Sequence, residues 1–191
     1  SGTTDYFHMC SIHMGTPENF NGVQRTVEGG GYAGFYAYAP DDYREYLQVA
    51  LKSPLQAGVA YRLSFYVSLA ERSDFAVRDF GILFSSGPLE IDTKKNISMA
   101  KRYAIAGNAY HYLESSASGF LSDISDWNRV EVRFEAEGTE RYLILGNFRT
   151  NRETRTKRTG TNSNKGSYYY IDKVALLEQK PDLARSEEHT S

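Results

Sequence analysis

One stretch sets the pattern for the chain. In AYRLSFYVSLA, residues 60–70, Tyr61, Leu63, Phe65, Val67 and Leu69 share one face, and Arg62, Ser64, Tyr66 and Ser68 share the other. Strict alternation is the period of a pleated strand, whereas a helix would scatter these apolar positions around its circumference. The same period recurs in WNRVEVRFEAEG (127–138), where Val130, Val132 and Phe134 are expected inside and Arg129, Glu131, Arg133 and Glu135 outside. In REYLQVALKSPL (44–55) the pattern places Leu47, Val49 and Leu51 inward and Arg44, Tyr46 and Gln48 outward.

Further strands are predicted over AGFYAY (33–38), RDFGILFSS (78–86), SMAKRYAIA (98–106), the denser and central ERYLILGNF (140–148) and SYYYIDKVALLE (167–178). Residues 1–31 read as loop, and 107–126 as a long irregular connection. Residues 149–166 read as a polar, solvated hairpin tip with no core positions. About eight strands without a long intervening helix predict an all-β, two-sheet antiparallel sandwich, a closed barrel being the other all-β solution.

The chain has 191 residues, long enough for one domain with a substantial core. With 22 basic against 24 acidic residues the net charge is −2, which gives no global case for nucleic acid or an anionic membrane. Fifteen tyrosines against one tryptophan, in strands rich in glycine, lean toward a surface-exposed β protein. A single cysteine, Cys10, excludes an internal disulfide. Cys10 and His13 have the spacing of half a zinc site, but no second half follows, so an idle thiol is the simpler reading. No apolar run approaches the roughly 20 residues of a membrane helix.

Enzyme signatures are weak. GGGYAG (29–34) matches the dinucleotide-binding spacing, but a loop precedes it and a β-like segment follows, the wrong context for a pyrophosphate at a helix N-terminus. No nucleophile elbow is present, and no spacing favours a pair of catalytic carboxylates, so the chain is read as a non-enzyme. The 149–166 segment carries six basic side chains from Arg149 to Lys165, yet no aromatics lie between them for base stacking. A better candidate is the outer face carrying Tyr46 and Gln48 on one strand and Arg62, Ser64 and Tyr66 on the next. If those strands pair, rings and planar polar groups would lie side by side. That is the chemistry that stacks on the C–H face of a sugar and takes its hydroxyls. Ordinary cross-strand packing is the competing reading.

Taken in order, YREYLQVALKSPLQAGVAYRLSFYVSLA, FGILFS, WNRVEVRFEAEGTERYLILGNF and YYYIDKVALLE resemble the jelly-roll module of OmpA-family outer-membrane proteins of Gram-negative bacteria, as do DYFHMC and YAGFYAY nearer the start. The layout also resembles carbohydrate-binding modules of the galactose-binding-like superfamily. The resemblance spans most of residues 3–178. It implies a jelly-roll sandwich on a secreted or cell-envelope protein, non-catalytic, with a cell-surface or extracellular glycan as partner. It implies no nucleic acid and no membrane insertion by this domain, and a peptidoglycan-binding domain downstream. The alternatives are an adhesive or structural spacer without a small ligand and, behind it, a carbohydrate-active enzyme domain. In sugar-binding jelly rolls the Asp of the YYID pattern often ligates a structural calcium with a Glu of the first strand. Asp172 matches that Asp, Lys173 stands in place of a second one, and the first-strand pattern is absent. Otherwise Asp172 caps backbone N–H groups or pairs with a Lys or Arg. The module is expected over 1–180, lacking its first strand. Residues 181–191 are expected to be a linker remnant ending in RSEEHTS, which resembles a translated sequencing adapter.

Overall fold

A computed structural model describes residues 5–8, 18–19, 22–23, 31–89, 96–98, 106–115, 117–162 and 165–179. Strands β1 (Asp5–His8), β4 (Gly31–Tyr38), β13 (Ser167–Glu178), β6 (Ala60–Leu69) and β10 (Asn128–Glu135) form a five-stranded antiparallel sheet in that order. Strands β5 (Leu47–Ala50), β11 (Tyr142–Gly146), β8 (Gly81–Ser85) and β9 (Tyr110–Glu114) form a four-stranded one. Two small two-stranded sheets pair β12 (Thr156–Arg158) with β7 (Phe75–Val77) and β2 (Glu18–Asn19) with β3 (Gly22–Val23). The architecture is all-β, an antiparallel jelly-roll sandwich. Its only helical element among the described residues is the 3-10 turn Pro40–Asp42, and no helix there is long and apolar enough to cross a membrane.

The alternation read from the sequence explains the core. Leu63, Phe65, Val67 and Leu69 of β6, Phe35 of β4, Val130 and Phe134 of β10 and Ile171 of β13 are buried against Ile82 and Phe84 of β8 and Leu143 and Leu145 of β11. Apolar area removed from water on both inner faces, at about 25 cal/mol per Å², is the main driving force joining the sheets. Tyr169 lies in the same layer, and its hydroxyl accepts from Val77 N–H and donates to the Leu121 carbonyl, both at 2.8 Å.

Several expectations need correction. In 44–51 Leu47 and Leu51 face the main core as expected, but Arg44 and Tyr46, expected outward, are buried, and Val49, expected inward, is 38% exposed. The irregular 107–126 connection contains β9, and the loop-like start contains β1, paired with β4. The polar 149–166 segment has exposed or half-buried side chains among its described residues, as expected, but it is not all loop: β12 pairs with β7, and Lys165 N–H donates to Asp74 at 2.9 Å. Arg44 donates to the Tyr43 and Arg149 carbonyls from a fully buried position, which anchors the segment's start. The predicted strand 98–106 falls almost wholly outside the described residues, as does the 181–191 tail.

Candidate site on the outer face of the four-stranded sheet

Because β8, β9 and β11 alternate, every second residue leaves the core. Tyr142, Ser85 and Tyr110 lie in one cross-strand row, Ile144, Leu83 and Tyr112 in the next, and Gly146, Gly81 and Glu114 in the third. Neighbouring strands are about 4.8 Å apart, so Tyr110 and Tyr142 stand about 10 Å apart across Ser85. Tyr112 is 38% exposed, and Tyr110 and Tyr142 are half-buried.

The two glycines let rings lie on the sheet itself. A Cβ at Gly146 would come within 2.5 Å of Tyr46 Cδ1, and one at Gly81 within 2.3 Å of Phe148 Cδ2. Tyr46 and Phe148 therefore tilt against each other at 4.9 Å, and Phe148 meets Tyr112 edge-on at 5.6 Å. The Tyr112 hydroxyl donates to Glu114 at 2.8 Å, and Glu114 takes both arms of the Arg149 guanidinium. That hydrogen bond to Glu114 chiefly raises the Arg149 pKa above its ordinary value. Arg149 also faces Asp79 at 3.7 Å, and Asp79 is held by Arg155. The face thus presents rings bordered at one end by a carboxylate–guanidinium ladder.

Half of this face is covered. Leu89 and Ile97 pack with Tyr46, Leu83, Ile144 and Phe148 in a second buried cluster. Tyr46 is locked there, its hydroxyl donating to the Asn147 carbonyl and accepting from Ile97 N–H, both at 2.8 Å. Gln48 is exposed, and its Oε1 accepts from Leu89 N–H at 2.7 Å, tying the covering segment down.

The four residues expected to form one sugar patch are split. Tyr46 and Gln48 belong to the four-stranded sheet, Arg62 and Tyr66 to the five-stranded one, because β5 pairs with β11 while β6 pairs with β10 and β13. Tyr66 is half-buried between Arg129 and Asp172 in register, and Arg62 lies opposite Arg133. Glu131 relieves the like charges of β10 by bonding both Arg129 and Arg133; those bonds, the Arg133 one first, hold its carboxyl below the usual range. Asp172 lies at a bulge in β13 where Lys173 adopts φ 53°, and Asp172 Oδ1 accepts the Lys173 N–H at 2.7 Å. A hard cation wants six to eight oxygens, several of them charged. Among the described residues Asp172 belongs to no group of three converging acidic, His or Cys ligands.

Another group of tyrosines packs together on the opposite sheet. On the outer side of the five-stranded sheet, Tyr36, Tyr168, Tyr170, Tyr32 and Trp127 touch in sequence at 4.9–5.8 Å, and Tyr32, Tyr168 and Tyr170 are buried. The residues that sequence reasoning missed, Tyr110, Tyr112 and Glu114, carried a signal: YHYLE alternates aromatic and acidic positions against His111 and Leu113.

The fold and this ring-bearing face define a β-sandwich module with an aromatic outer surface. No protein-family model matches the chain, and no curated protein sequence matches it. Solved structures similar to it include the xylan-binding CBM22-1 domain of Paenibacillus barcinonensis Xyn10C, at 12% identity and TM-score 0.46, over 83% of this chain and 78% of that one. The N-terminal cellulose-binding domain of Cellulomonas fimi β-1,4-glucanase C is similar at 13% identity and TM-score 0.42, over 94% and 90% of the two chains. The TmCBM61 structure in complex with β-1,4-galactotriose is similar at 17% identity and TM-score 0.35, over 80% and 74%.

Proposed function

We propose that the chain is a non-catalytic glycan-binding module of a secreted or cell-envelope protein. Its platform is the part of the four-stranded sheet bearing Tyr110, Tyr112 and Tyr142. The observation that carries this reading is the coincidence, on one outer face, of three partly exposed tyrosines and the Glu114–Arg149 pair. Rings accept the C–H faces of a pyranose, while a carboxylate and a guanidinium offer planar acceptors and donors for its hydroxyls. Binding is expected to be weak, since an open platform covers little of a sugar chain and must also order it. Cell-surface placement and a downstream peptidoglycan-binding domain belong to this proposal and rest on the sequence resemblance.

The test is calorimetry and affinity electrophoresis against soluble xylan, β-1,4-galactan and cello-oligosaccharides, with wild type, Tyr112→Ala and Tyr66→Ala. Binding lost in Tyr112→Ala and kept in Tyr66→Ala supports the platform. The opposite result moves the site to the five-stranded sheet. The second reading, a spacer without a small ligand, is favoured by Leu89 and Ile97 lying over half of the same face. It takes over if the folded protein binds none of these glycans.

A further inference from the structure

We propose that His111, Glu137 and Glu140 form a binding site for a divalent transition metal of the zinc class. One ligand atom from each, an imidazole nitrogen and two carboxylate oxygens, lies within 4.8 Å of the other two. A tetrahedral metal with bonds of about 2.1 Å needs donors about 3.4 Å apart. His111 Nδ1 and Glu140 Oε1 already stand at 2.9 Å. Glu137 is exposed, so its carboxylate can swing the remaining distance at little cost.

The fixed part of the site is preorganised. Glu140 is fully buried, with the Glu137 amide on Oε1 at 2.7 Å and the Gly138 amide on Oε2 at 2.9 Å. Gly138 closes this turn at φ +95°, a conformation suited to glycine. The imidazole meets Phe134 edge-on at 5.7 Å and tilts against Phe84 at 6.3 Å, which sets its orientation. The two amides and the His111 contact hold the Glu140 carboxylate in place at the site. Two carboxylates with an imidazole suit zinc, nickel or copper. Calcium and magnesium prefer all-oxygen shells. Three protein ligands leave a fourth position for water.

A plain hydrogen bond between His111 and Glu140 accounts for two of these groups without a metal. Glu137 separates the readings, because that hydrogen bond does not use its side chain. The experiment is calorimetric titration of the chelator-stripped chain with zinc chloride, together with melting in the presence and absence of the ion. One zinc per chain and a raised melting temperature are expected, with calcium failing to compete. Glu137→Gln should weaken zinc about tenfold or more, the scale on which even outer partners of a metal matter, while the metal-free melting temperature stays put. His111→Gln should weaken zinc at least as much. The proposal is overturned by an absence of saturable binding, or by zinc that binds equally well to both variants. Thiolate bands in the cobalt-substituted spectrum would likewise overturn it, by placing the metal at Cys10.

Discussion

Removing one hydroxyl from the centre of the molecule, by Tyr169→Phe, should destabilise it by about 2–3 kcal/mol. The ring keeps its place, since its edge-on contact with Phe80 at 5.1 Å does not involve the oxygen. What is lost is the bridge from β13 to β7 and to the 121 segment. Val77 N–H loses its acceptor and the Leu121 carbonyl loses its donor, both at 2.8 Å and both buried. Burial pushes the hydroxyl pKa up, so it stays protonated and donating throughout the usable pH range. An orphaned buried polar group costs about 1–3 kcal/mol, and a carbonyl with a second lone pair sits at the low end. At about 2–4 °C per kcal/mol for a domain of this size, the melting temperature should fall by about 4–12 °C. Urea unfolding followed by far-UV circular dichroism and by the fluorescence of the single tryptophan, Trp127, measures it. A loss below about 0.5 kcal/mol with an unchanged urea slope would refute the reasoning, because it would mean that water or a relaxed backbone satisfies both groups.

Other outcomes follow from the same geometry. Glu140 has a depressed folded pKa, so its stabilisation is present above the ordinary Glu range near about 4.3 and lost as pH falls through the lower folded value. Unfolding measured against pH should show this as an acid limb that flattens in Glu140→Gln, and an unaltered limb would contradict it. Gly146→Ala drives a methyl into the Tyr46 ring at 2.5 Å, and should cost about 1–3 kcal/mol by overpacking, read from thermal melts. Arg155 pairs with Asp79 from a half-exposed position, so Arg155→Ala should cost less than about 1 kcal/mol and lose that cost in high salt.

What the chain determined locally is its strand content and the pairing of side chains onto faces. Period two in 60–69 and 130–134 put Leu63, Phe65, Val67, Val130 and Phe134 on common faces, and those faces form the core. Alternation does not say which face points inward, since that depends on what covers the strand. In 44–50 it is the outer side that is covered, by Leu89, Ile97 and the 147–154 segment. Arg44 and Tyr46 are buried there while Val49 reaches solvent. The alternation of YHYLE in β9 is only five residues long and lies among polar turn residues, so the pairing with β8 rather than the local pattern fixes it as a strand. The candidate platform was illegible for the same reason. Tyr46 and Gln48 precede Arg62 and Tyr66 closely in sequence, yet the 51–59 connection carries the chain from one sheet to the other. Tyr110, Tyr112 and Tyr142 come from distant segments and meet only through the β9–β8–β11 ladder, a long-range pairing that no local pattern encodes.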